Sequence, residues 1–188
     1  MIFTELVLAG AFLLRWERRE DERGFFARTW CQAEAAAHGL NPRVAQANVS
    51  FNVAAGTVRG MHYQAAPHAE AKLVRCTTGS IHDVIVDLRP DSPTRGQHCA
   101  VRLTSSSHAS LYIPEGLAHG FQTLEPNTEV SYQMSAPYAP ASARGIRWDD
   151  PLFGIRWPLP VTVISDRDRT YPDFSWPDEA GRPAPRPR

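Results

Sequence analysis

Short apolar runs of strand length recur along most of the chain and are separated by residues that favour turns. They lie in four segments, 44–53, 71–90, 97–116 and 120–134. β-Branched residues on both sides of Gly79 predict a hairpin at that point, and the third segment repeats the pattern around its serines. Many short strands joined by Gly and Pro turns are typical of an all-β sandwich or barrel.

The first forty residues contain the remaining predicted elements. The opening run, 1–21, carries Glu5 and has no basic residue before its apolar part, which argues against a signal peptide, and it is too short to cross a bilayer. We interpret it as two strands around an Ala-Gly turn. The segment 30–40 is the only one with a helical composition, and it ends at Gly39, as helices commonly do.

At 188 residues, 43% of them hydrophobic, the chain is long enough for one substantial core and short for two. We therefore predict a single domain over residues 1–170. Residues 171–188 are rich in Pro and charge and poor in aliphatic side chains, which predicts a flexible tail.

Charge and cysteine content exclude several classes of protein. Twenty basic residues balance twenty acidic ones, so no general field attracts nucleic acid or an anionic membrane, and an anionic ligand requires a local cluster. Cys31, Cys76 and Cys99 are odd in number and lack CxxC spacing, which argues against a disulfide framework and a zinc site. We therefore predict a location in the reducing cytoplasm.

Candidate chemical groups first gather on the predicted strand 58–64, which contains an arginine, a histidine and a tyrosine. Alternation places residues 60, 62 and 64 on one face and residues 59, 61 and 63 on the other, unless a bulge near Gly60 changes it. Lys72, which follows, is the only lysine among twenty basic residues. A compact ammonium suits a site built around one small oxygen, which would explain why this position holds lysine and not arginine.

The motif P-E-G-x-x-H at 114–119 resembles the second motif of double-stranded β-helix proteins. We therefore predict a cupin-like antiparallel jelly roll with short peripheral helices. His119 could then be a metal ligand, but cupin metal sites also take an H-x-H pair and a carboxylate, where this chain has His62-Tyr63-Gln64. The remaining histidines lack a ligand spacing, so we predict no metal and keep a metal-binding cupin, such as a dioxygenase, as an alternative.

Eight segments, in order along residues 20–170, resemble the dTDP-4-dehydrorhamnose 3,5-epimerase family. They are "DERGFF" (21–26), "QANVSFN" (46–52), "RGMHYQ" (59–64), "KLVRCTTGSIHDVIVDLRPDSPT" (72–94), "IPEGLAHGFQTLE" (113–125), "YAP" (138–140), "GIRWDDPLFGIRWP" (145–158) and "SDRD" (165–168). The resemblance implies a jelly-roll homodimer that uses neither metal nor cofactor. We also expect the apolar N-terminal strands to extend a sheet of the partner, because pairing protects an open strand edge.

The resemblance also implies roles for individual residues. It makes His62 the catalytic base, Asp168 its support, Tyr132 the acid and Lys72 the group near the substrate carbonyl. It assigns substrate binding to Arg59 at the diphosphate, His119 as a second pocket histidine and Tyr138 stacking on the base. The other residues that it assigns to substrate binding are Gln46, Asn48, Phe26 and Arg167, the last at a position where the family often has lysine. Arg23 would reach the nucleotide from the partner subunit.

These groups suit epimerisation of a nucleotide-linked 4-keto-6-deoxy sugar. The hydrogens on carbons 3 and 5 are acidic because the carbanion delocalises onto the carbonyl oxygen as an enolate. A histidine oriented by a carboxylate can take such a proton near neutral pH. A lysine at the oxygen would stabilise the charge as it develops, and a tyrosine on the opposite face would return a proton.

Four alternatives stay open at this point. An epimerase that acts at carbon 3 or carbon 5 alone would use the same residues, and a metal-binding cupin is the second alternative. A non-catalytic sugar-nucleotide binding module is disfavoured because His62 and Tyr132 are both present. A CDP-linked substrate is the fourth, because the family's acidic positions near the nucleotide are replaced here by Ala27, Arg28 and the segment 141–143.

Overall fold

The structure, a computed structural model, describes residues 1–176. Within this range the chain forms thirteen strands and two short α-helices. The strands are β1 (Ile2–Glu5), β2 (Phe12–Arg15), β3 (Arg19–Asp21), β4 (Gly24–Phe26), β5 (Gln46–Asn52), β6 (Val58–Gln64), β7 (Lys72–Thr78), β8 (Ser80–Asp87), β9 (His98–Thr104), β10 (Ala109–Ile113), β11 (Leu117–Thr123), β12 (Thr128–Met134) and β13 (Ala143–Gly145). The helices are α1 (Gln32–Ala37) and α2 (Asp166–Arg169).

Two antiparallel sheets carry most of these strands. Sheet I has the order β1-β2-β10-β7-β12-β5, and sheet II has the order β13-β6-β11-β8-β9. The short strands β3 and β4 pair only with each other in the described structure and form a separate arm. From β5 onward, successive strands alternate between the sheets, apart from the β8–β9 pair, so the predicted jelly roll is confirmed.

The hairpin predicted at Gly79 is wrong, because β7 lies in sheet I and β8 in sheet II. The chain crosses between the facing sheets at Gly79, whose φ is 77°. The similar hairpin predicted in 97–116 is also wrong, since β9 and β10 lie in different sheets. Turn residues between two β-rich runs do not distinguish a turn within one sheet from a crossing to the sheet that faces it.

The main apolar core lies between the two sheets. Its buried side chains come from both of them, including Val74, Cys76, Leu111 and Val130 of sheet I and Ile81, Ile85, Leu103, Leu117 and Phe121 of sheet II. Burial of these side chains is the main driving force that holds the sheets face to face.

Helix α1 covers the outer face of sheet I, where Ala35 and Leu40 pack with Leu14 and Tyr112. The helix predicted in segment 30–40 is therefore confirmed. It ends as expected, since Gly39 has a φ of 71° and its N–H donates to the carbonyl of Ala36. The predicted pair of N-terminal strands is confirmed as β1 and β2.

The C-terminal part of the described chain packs on the outer face of sheet II. Phe174 and Trp176 contact Phe153, and the Phe174 N–H donates to Asp150 Oδ2 at 2.6 Å. These two residues belong to the predicted tail, 171–188, of which residues 177–188 lie outside the described residues.

None of the helices in residues 1–176 has the length and apolar character needed to cross a membrane. The cytoplasmic location stays a prediction.

Candidate active site

A cavity of about 650 Å³ opens between the sheets beside the apolar core. Its volume lies within the range of small-ligand sites. Both sheets line it, together with the loops after β12 and before α2. The residues proposed from sequence that line it are Asn48, Arg59, His62, Lys72, His119, Tyr132, Tyr138, Arg167 and Asp168.

A bulge on β6 brings Arg59 and His62 to the same face. In the register of the two strands, His62 lies opposite His119 of β11, and Arg59 lies opposite Phe121. Two residues of β6, Gly60 and Met61, therefore lie opposite the single residue Gly120 of β11, and the extra residue resets the alternation. The bulge near Gly60 that could change the alternation is therefore present. Arg59 and His62 both line the cavity, although simple alternation would place them on opposite faces.

Close contact between the backbones of β6 and β11 explains glycine at two positions in the bulge. A Cβ on Gly60, whose φ is 131°, would lie 2.5 Å from Gly120 Cα. A Cβ on Gly120 would lie 2.8 Å from the carbonyl oxygen of Arg59. Larger residues at either position would push the strands apart and misplace the neighbouring side chains.

His62 and Asp168 form a hydrogen-bonded pair, with His62 Nε2 at 2.7 Å from Asp168 Oδ1. Helix α2 carries Asp168 to this place, and Ser165 caps the helix by accepting from the Asp168 N–H. The second oxygen of Asp168 accepts from the Gly60 N–H at 3.1 Å. Burial raises the pKa of Asp168, but these hydrogen bonds outweigh it and hold that pKa below its ordinary value.

Lys72 begins β7 and points its ammonium into the cavity wall. Its Nζ donates to the carbonyl oxygen of His62 at 3.1 Å and lies 3.4 Å from Glu70 Oε1. Burial lowers the pKa of Lys72 below its ordinary value, while Glu70 and Asp83 oppose that change. Lys72 therefore lies next to the His62–Asp168 pair.

A second histidine–aspartate pair lies deeper in the wall. His119 Nε2 is 2.8 Å from Asp83 Oδ1, and both side chains are buried. The other oxygen of Asp83 is buried and has no hydrogen-bond partner among residues 1–176. This pair fixes the orientation of the His119 ring, which meets the Tyr132 ring edge to face at 6.1 Å between centroids.

Tyr132 projects from β12 into the cavity, and its hydroxyl lies 3.4 Å from Ser50 Oγ. Burial raises its pKa far above the ordinary value. The phenol therefore stays protonated at neutral pH and is available as a proton donor.

Arg59 is held by Asn52, whose Oδ1 accepts from Arg59 Nε at 2.7 Å. Asn52 is buried, and its amide nitrogen donates to the Thr128 carbonyl at 3.0 Å. The strand network therefore fixes one side of the guanidinium and leaves its remaining N–H groups for an anion.

Tyr138 lies at the cavity mouth, with more than half of its surface exposed. Its N–H donates to Gln46 Oε1 at 2.8 Å, so Gln46 supports the tyrosine instead of lining the cavity. Arg167 lies beside them and donates through Nε to the Tyr171 hydroxyl at 2.7 Å. An exposed aromatic ring and a cation thus flank the entrance.

Arg23 and Phe26 do not join this group. Both lie on the β3–β4 arm, where Arg23 pairs with Asp21 and Phe26 is three-quarters exposed. The arm does not contribute to the lining of the cavity in its own chain. Their assignment to substrate binding stays a prediction.

Among the residues that hold charged groups of the site, Asn52, Glu70 and Asp83 were not proposed from sequence. Asp83 had a signal, because it shares the inward face of β8 with Ile81 and Ile85 and is the only charged side chain between them. A lone carboxylate in a buried apolar strand requires a partner. Asn52 and Glu70 gave no such signal, because their partners are brought close only by the folded sheets.

In the part of the chain that the structure describes, no group of three or more His, Cys, Asp or Glu side chains could hold a metal ion. Each histidine of the cavity is paired with one carboxylate. The donor set therefore resembles an acid–base site more than a metal centre.

Solved structures of known enzymes have the same architecture. The dTDP-4-dehydrorhamnose 3,5-epimerase from Bacillus anthracis, with TDP and PPi bound, is 38% identical, with a TM-score of 0.88, over 92% of this chain and 99% of that chain. ChmJ, a 3′-monoepimerase from Streptomyces bikiniensis in complex with dTDP-quinovose, is 31% identical, with a TM-score of 0.83, over 94% and 89% of the two chains. The fold and the site define an isomerase of the nucleotide-sugar epimerase class.

Sequence comparison specifies the family. The family model described as dTDP-4-dehydrorhamnose 3,5-epimerase matches residues 5–175. The dTDP-4-dehydrorhamnose 3,5-epimerase of Sinorhizobium fredii is 42% identical over 179 residues, which cover 93% of this chain and 90% of that protein. The chain belongs to the dTDP-4-dehydrorhamnose 3,5-epimerase family, as its motifs had indicated.

Proposed function

We propose that the protein inverts carbons 3 and 5 of a dTDP-linked 4-keto-6-deoxy-hexose in deoxysugar biosynthesis of the dTDP-L-rhamnose type. The observation that carries this proposal is the placement of the His62–Asp168 pair, Lys72 and Tyr132 in one cavity. Together they provide a base, a cation and an acid, which are the three groups that epimerisation next to a carbonyl requires.

His62 is the proposed base. Asp168 occupies Nε2 and favours the tautomer that carries its proton there, so Nδ1 is the atom that accepts a proton from carbon 3 or carbon 5. The imidazolium that forms is stabilised by the ionised carboxylate. A histidine oriented in this way contributes about 10²–10⁴-fold to a proton-transfer step.

Lys72 is the proposed partner of the carbonyl oxygen. When the C–H bond breaks, its electron pair moves into the ring and negative charge collects on that oxygen as an enolate. A well-placed donor at such an atom typically stabilises the transition state by about 3 kcal/mol. The buried position of the ammonium strengthens the interaction, because little water is present to screen it.

Tyr132 is the proposed acid. Delivery of its proton to the opposite face of the enolate completes the inversion, and solvent then restores the starting protonation states. Each cycle takes one proton and returns one, with no change in oxidation state. The proposed chemistry therefore requires no redox cofactor, and the chain's own side chains can perform its proton transfers.

The nucleotide diphosphate is proposed to lie along Arg59 and Asn48 towards the mouth of the cavity. Arg59 offers a planar fork to the diphosphate, and Tyr138 offers an exposed ring to the base. Arg167 adds a second cation at the entrance. The remaining proposed contacts, Arg23 and Phe26, would come from a partner subunit.

We also propose a homodimer. The β3–β4 arm exposes Phe25 and Phe26, and β5, at the edge of sheet I, exposes Val49 and Phe51. β1 is the other edge strand of that sheet, so its outer side is available for pairing with the partner. Light scattering should give about twice the chain mass of 20.9 kDa, and a monomer at micromolar concentration would contradict the proposal.

Deuterium incorporation tests the reaction. The protein is incubated with a dTDP-4-keto-6-deoxy-hexose in deuterated water, and deuterium is counted at each carbon. Incorporation at both carbons 3 and 5 supports the proposal. Incorporation at one carbon would favour a single-site epimerase, an alternative motivated by the 3′-monoepimerase among the structural relatives. No incorporation, together with a tightly bound metal ion in the purified protein, would favour a metal-binding cupin.

The proposed carrier is dTDP and not CDP. Arg28, which motivated the CDP alternative, pairs with Glu34 at 2.6 Å, so its charge is balanced by a carboxylate of its own chain. Calorimetric titration with dTDP and with CDP compares the two carriers. A preference for dTDP of about tenfold or more, or about 1.4 kcal/mol, supports the proposal, whereas tighter binding of CDP would reverse it.

A further inference from the structure

Glu70 places a carboxylate in a cavity that, by the proposed function, receives an anionic substrate. Its side chain is only one-tenth exposed and lines the cavity wall immediately before β7. A free carboxylate there would repel a diphosphate and would also cost desolvation free energy. Its position therefore calls for a role that outweighs both penalties.

The contacts of Glu70 lead to the catalytic lysine. One oxygen, Oε1, lies 3.4 Å from Lys72 Nζ, and the other, Oε2, accepts from Gln64 Nε2 at 3.1 Å. Gln64 is itself buried, and its Oε1 accepts from the Ala139 N–H at 2.6 Å. The carboxylate is therefore held in one orientation by a residue that is fixed in turn by the backbone.

We infer that Glu70 is a positioning residue that keeps Lys72 as an ammonium ion and directs it to the carbonyl oxygen of the substrate. The inference rests on the proposed function for the identity of that oxygen. The Lys72 ammonium has three N–H donors. The His62 carbonyl and Glu70 bind on the protein side, which leaves one N–H for the substrate.

Among the groups around Lys72, Glu70 is the one in a position to keep it protonated. The titratable groups on other elements that line this cavity or act on Lys72 include His62 on β6, Asp83 on β8, His119 on β11, Tyr132 on β12 and Asp168 on α2. The carboxylates among these, Asp83 and Asp168, are already bound to His119 and His62. Burial acts to neutralise Lys72, and Glu70 is the carboxylate in direct contact that opposes this effect.

Because Lys72 is the only lysine of the chain, its protonation can be measured directly. Protein labelled with ¹³C at lysine Cε gives one side-chain resonance, which is titrated with pH in wild type and in Glu70→Gln. The glutamine keeps the size of the side chain and can still accept from Gln64, but it removes the charge. We expect the lysine to lose its proton at a lower pH in Glu70→Gln, and an unchanged or higher midpoint overturns the inference.

Activity provides a second readout. In Glu70→Gln, kcat at about pH 9 should fall about tenfold while kcat at neutral pH falls less than about threefold and KM does not rise, because the repulsive charge is gone. An equal loss at every pH would show a merely structural role. Glu70→Asp should restore most of the alkaline activity, and Glu70→Ala removes the charge by a second route if the glutamine variant folds poorly.

Glu115→Gln is the matched control, since Glu115 accepts a hydrogen bond from Asn41 outside the cavity. It should leave the lysine titration unchanged. The titration needs no substrate, so the two proposals can fail separately. A shifted lysine midpoint in a protein that does not epimerise would remove the proposed function alone, and an unshifted midpoint in an active enzyme would remove the role of Glu70 alone.

Discussion

Asn52 and Arg59 belong to opposite sheets, and the 2.7 Å hydrogen bond between them joins the sheets at the wall of the cavity. The asparagine is buried on β5, and the arginine reaches it from β6. The position of Arg59, which is proposed to bind the diphosphate, therefore depends on Asn52, a residue that the substrate does not need to contact.

Replacement of this asparagine should weaken substrate binding. In Asn52→Ala, Arg59 loses the acceptor that fixes its Nε, so we expect KM to rise about tenfold while kcat changes little. Steady-state rates and calorimetric titration with dTDP check this. Asn41→Ala, which removes an amide outside the cavity, should leave KM unchanged. Loss of thermal stability without a change in KM would mean that Asn52 serves only the fold.

Asp168→Asn should impair proton abstraction at both carbons. The amide cannot stabilise the imidazolium as a carboxylate does, so we expect kcat to fall about 100-fold or more, with deuterium uptake at carbons 3 and 5 falling together. Asp166→Asn, two residues earlier on α2 and exposed, is the control and should retain wild-type rates. A variant at position 168 with normal exchange would rule out the pair as the base.

Tyr132→Phe should separate exchange from inversion. If the phenol only returns a proton, the variant still takes up deuterium through His62 but gives little epimerised product. Product analysis by NMR measures both quantities in one reaction. Tyr112→Phe, which alters a buried tyrosine outside the cavity, should preserve both. Equal loss of exchange and product in Tyr132→Phe would instead mean that this hydroxyl also stabilises the enolate.

Asp87 should contribute to stability in a pH-dependent way. Burial raises its pKa, but hydrogen bonds from Arg89, Ser92 and Thr94 outweigh this and lower it to about 2. Because the folded-state value lies below the unfolded one, the contribution is present above about pH 4 and is lost as pH falls towards about 2. Its size is about 2 kcal/mol in the free energy of unfolding.

Urea denaturation at a series of pH values tests this contribution. Asp87→Asn should lower the free energy of unfolding at neutral pH and flatten its decline in acid. The neighbouring exposed Asp91 supplies the control, since Asp91→Asn should leave the acid dependence of wild type intact. If both variants unfold like wild type in acid, the network around Asp87 does not stabilise the fold.

Local sequence patterns predicted the class of fold, helix α1 and the strands β1 and β2. They failed at Gly79, where the same turn chemistry serves a crossing between sheets. The difference depends on which strands lie beside β7, and these are β10 and β12, more than thirty and more than fifty residues later in the chain. Pairing over such a distance leaves no trace in a local pattern.

The residues of the site also divide into those that could be proposed from the sequence and those that could not. His62 and Lys72 could be proposed because they belong to motifs and Tyr132 because of the resemblance to the family, and all three line one cavity. Glu70 could not be proposed, because its value depends on a contact with Lys72 and on the loop held by Gln64. A residue that acts by orienting another becomes recognisable only when the distance between them is known.

The alternation of strands between the two sheets also determines when the enzyme becomes competent during synthesis. Lys72 lies in sheet I and His62 in sheet II, and Asp168 joins His62 only after 106 further residues. A nascent chain that has emerged as far as β12 already holds the lysine and the tyrosine but not the complete base. By the proposed mechanism, proton removal from a keto sugar therefore reaches its full rate only after α2 has packed against β6 and Asp168 has joined His62.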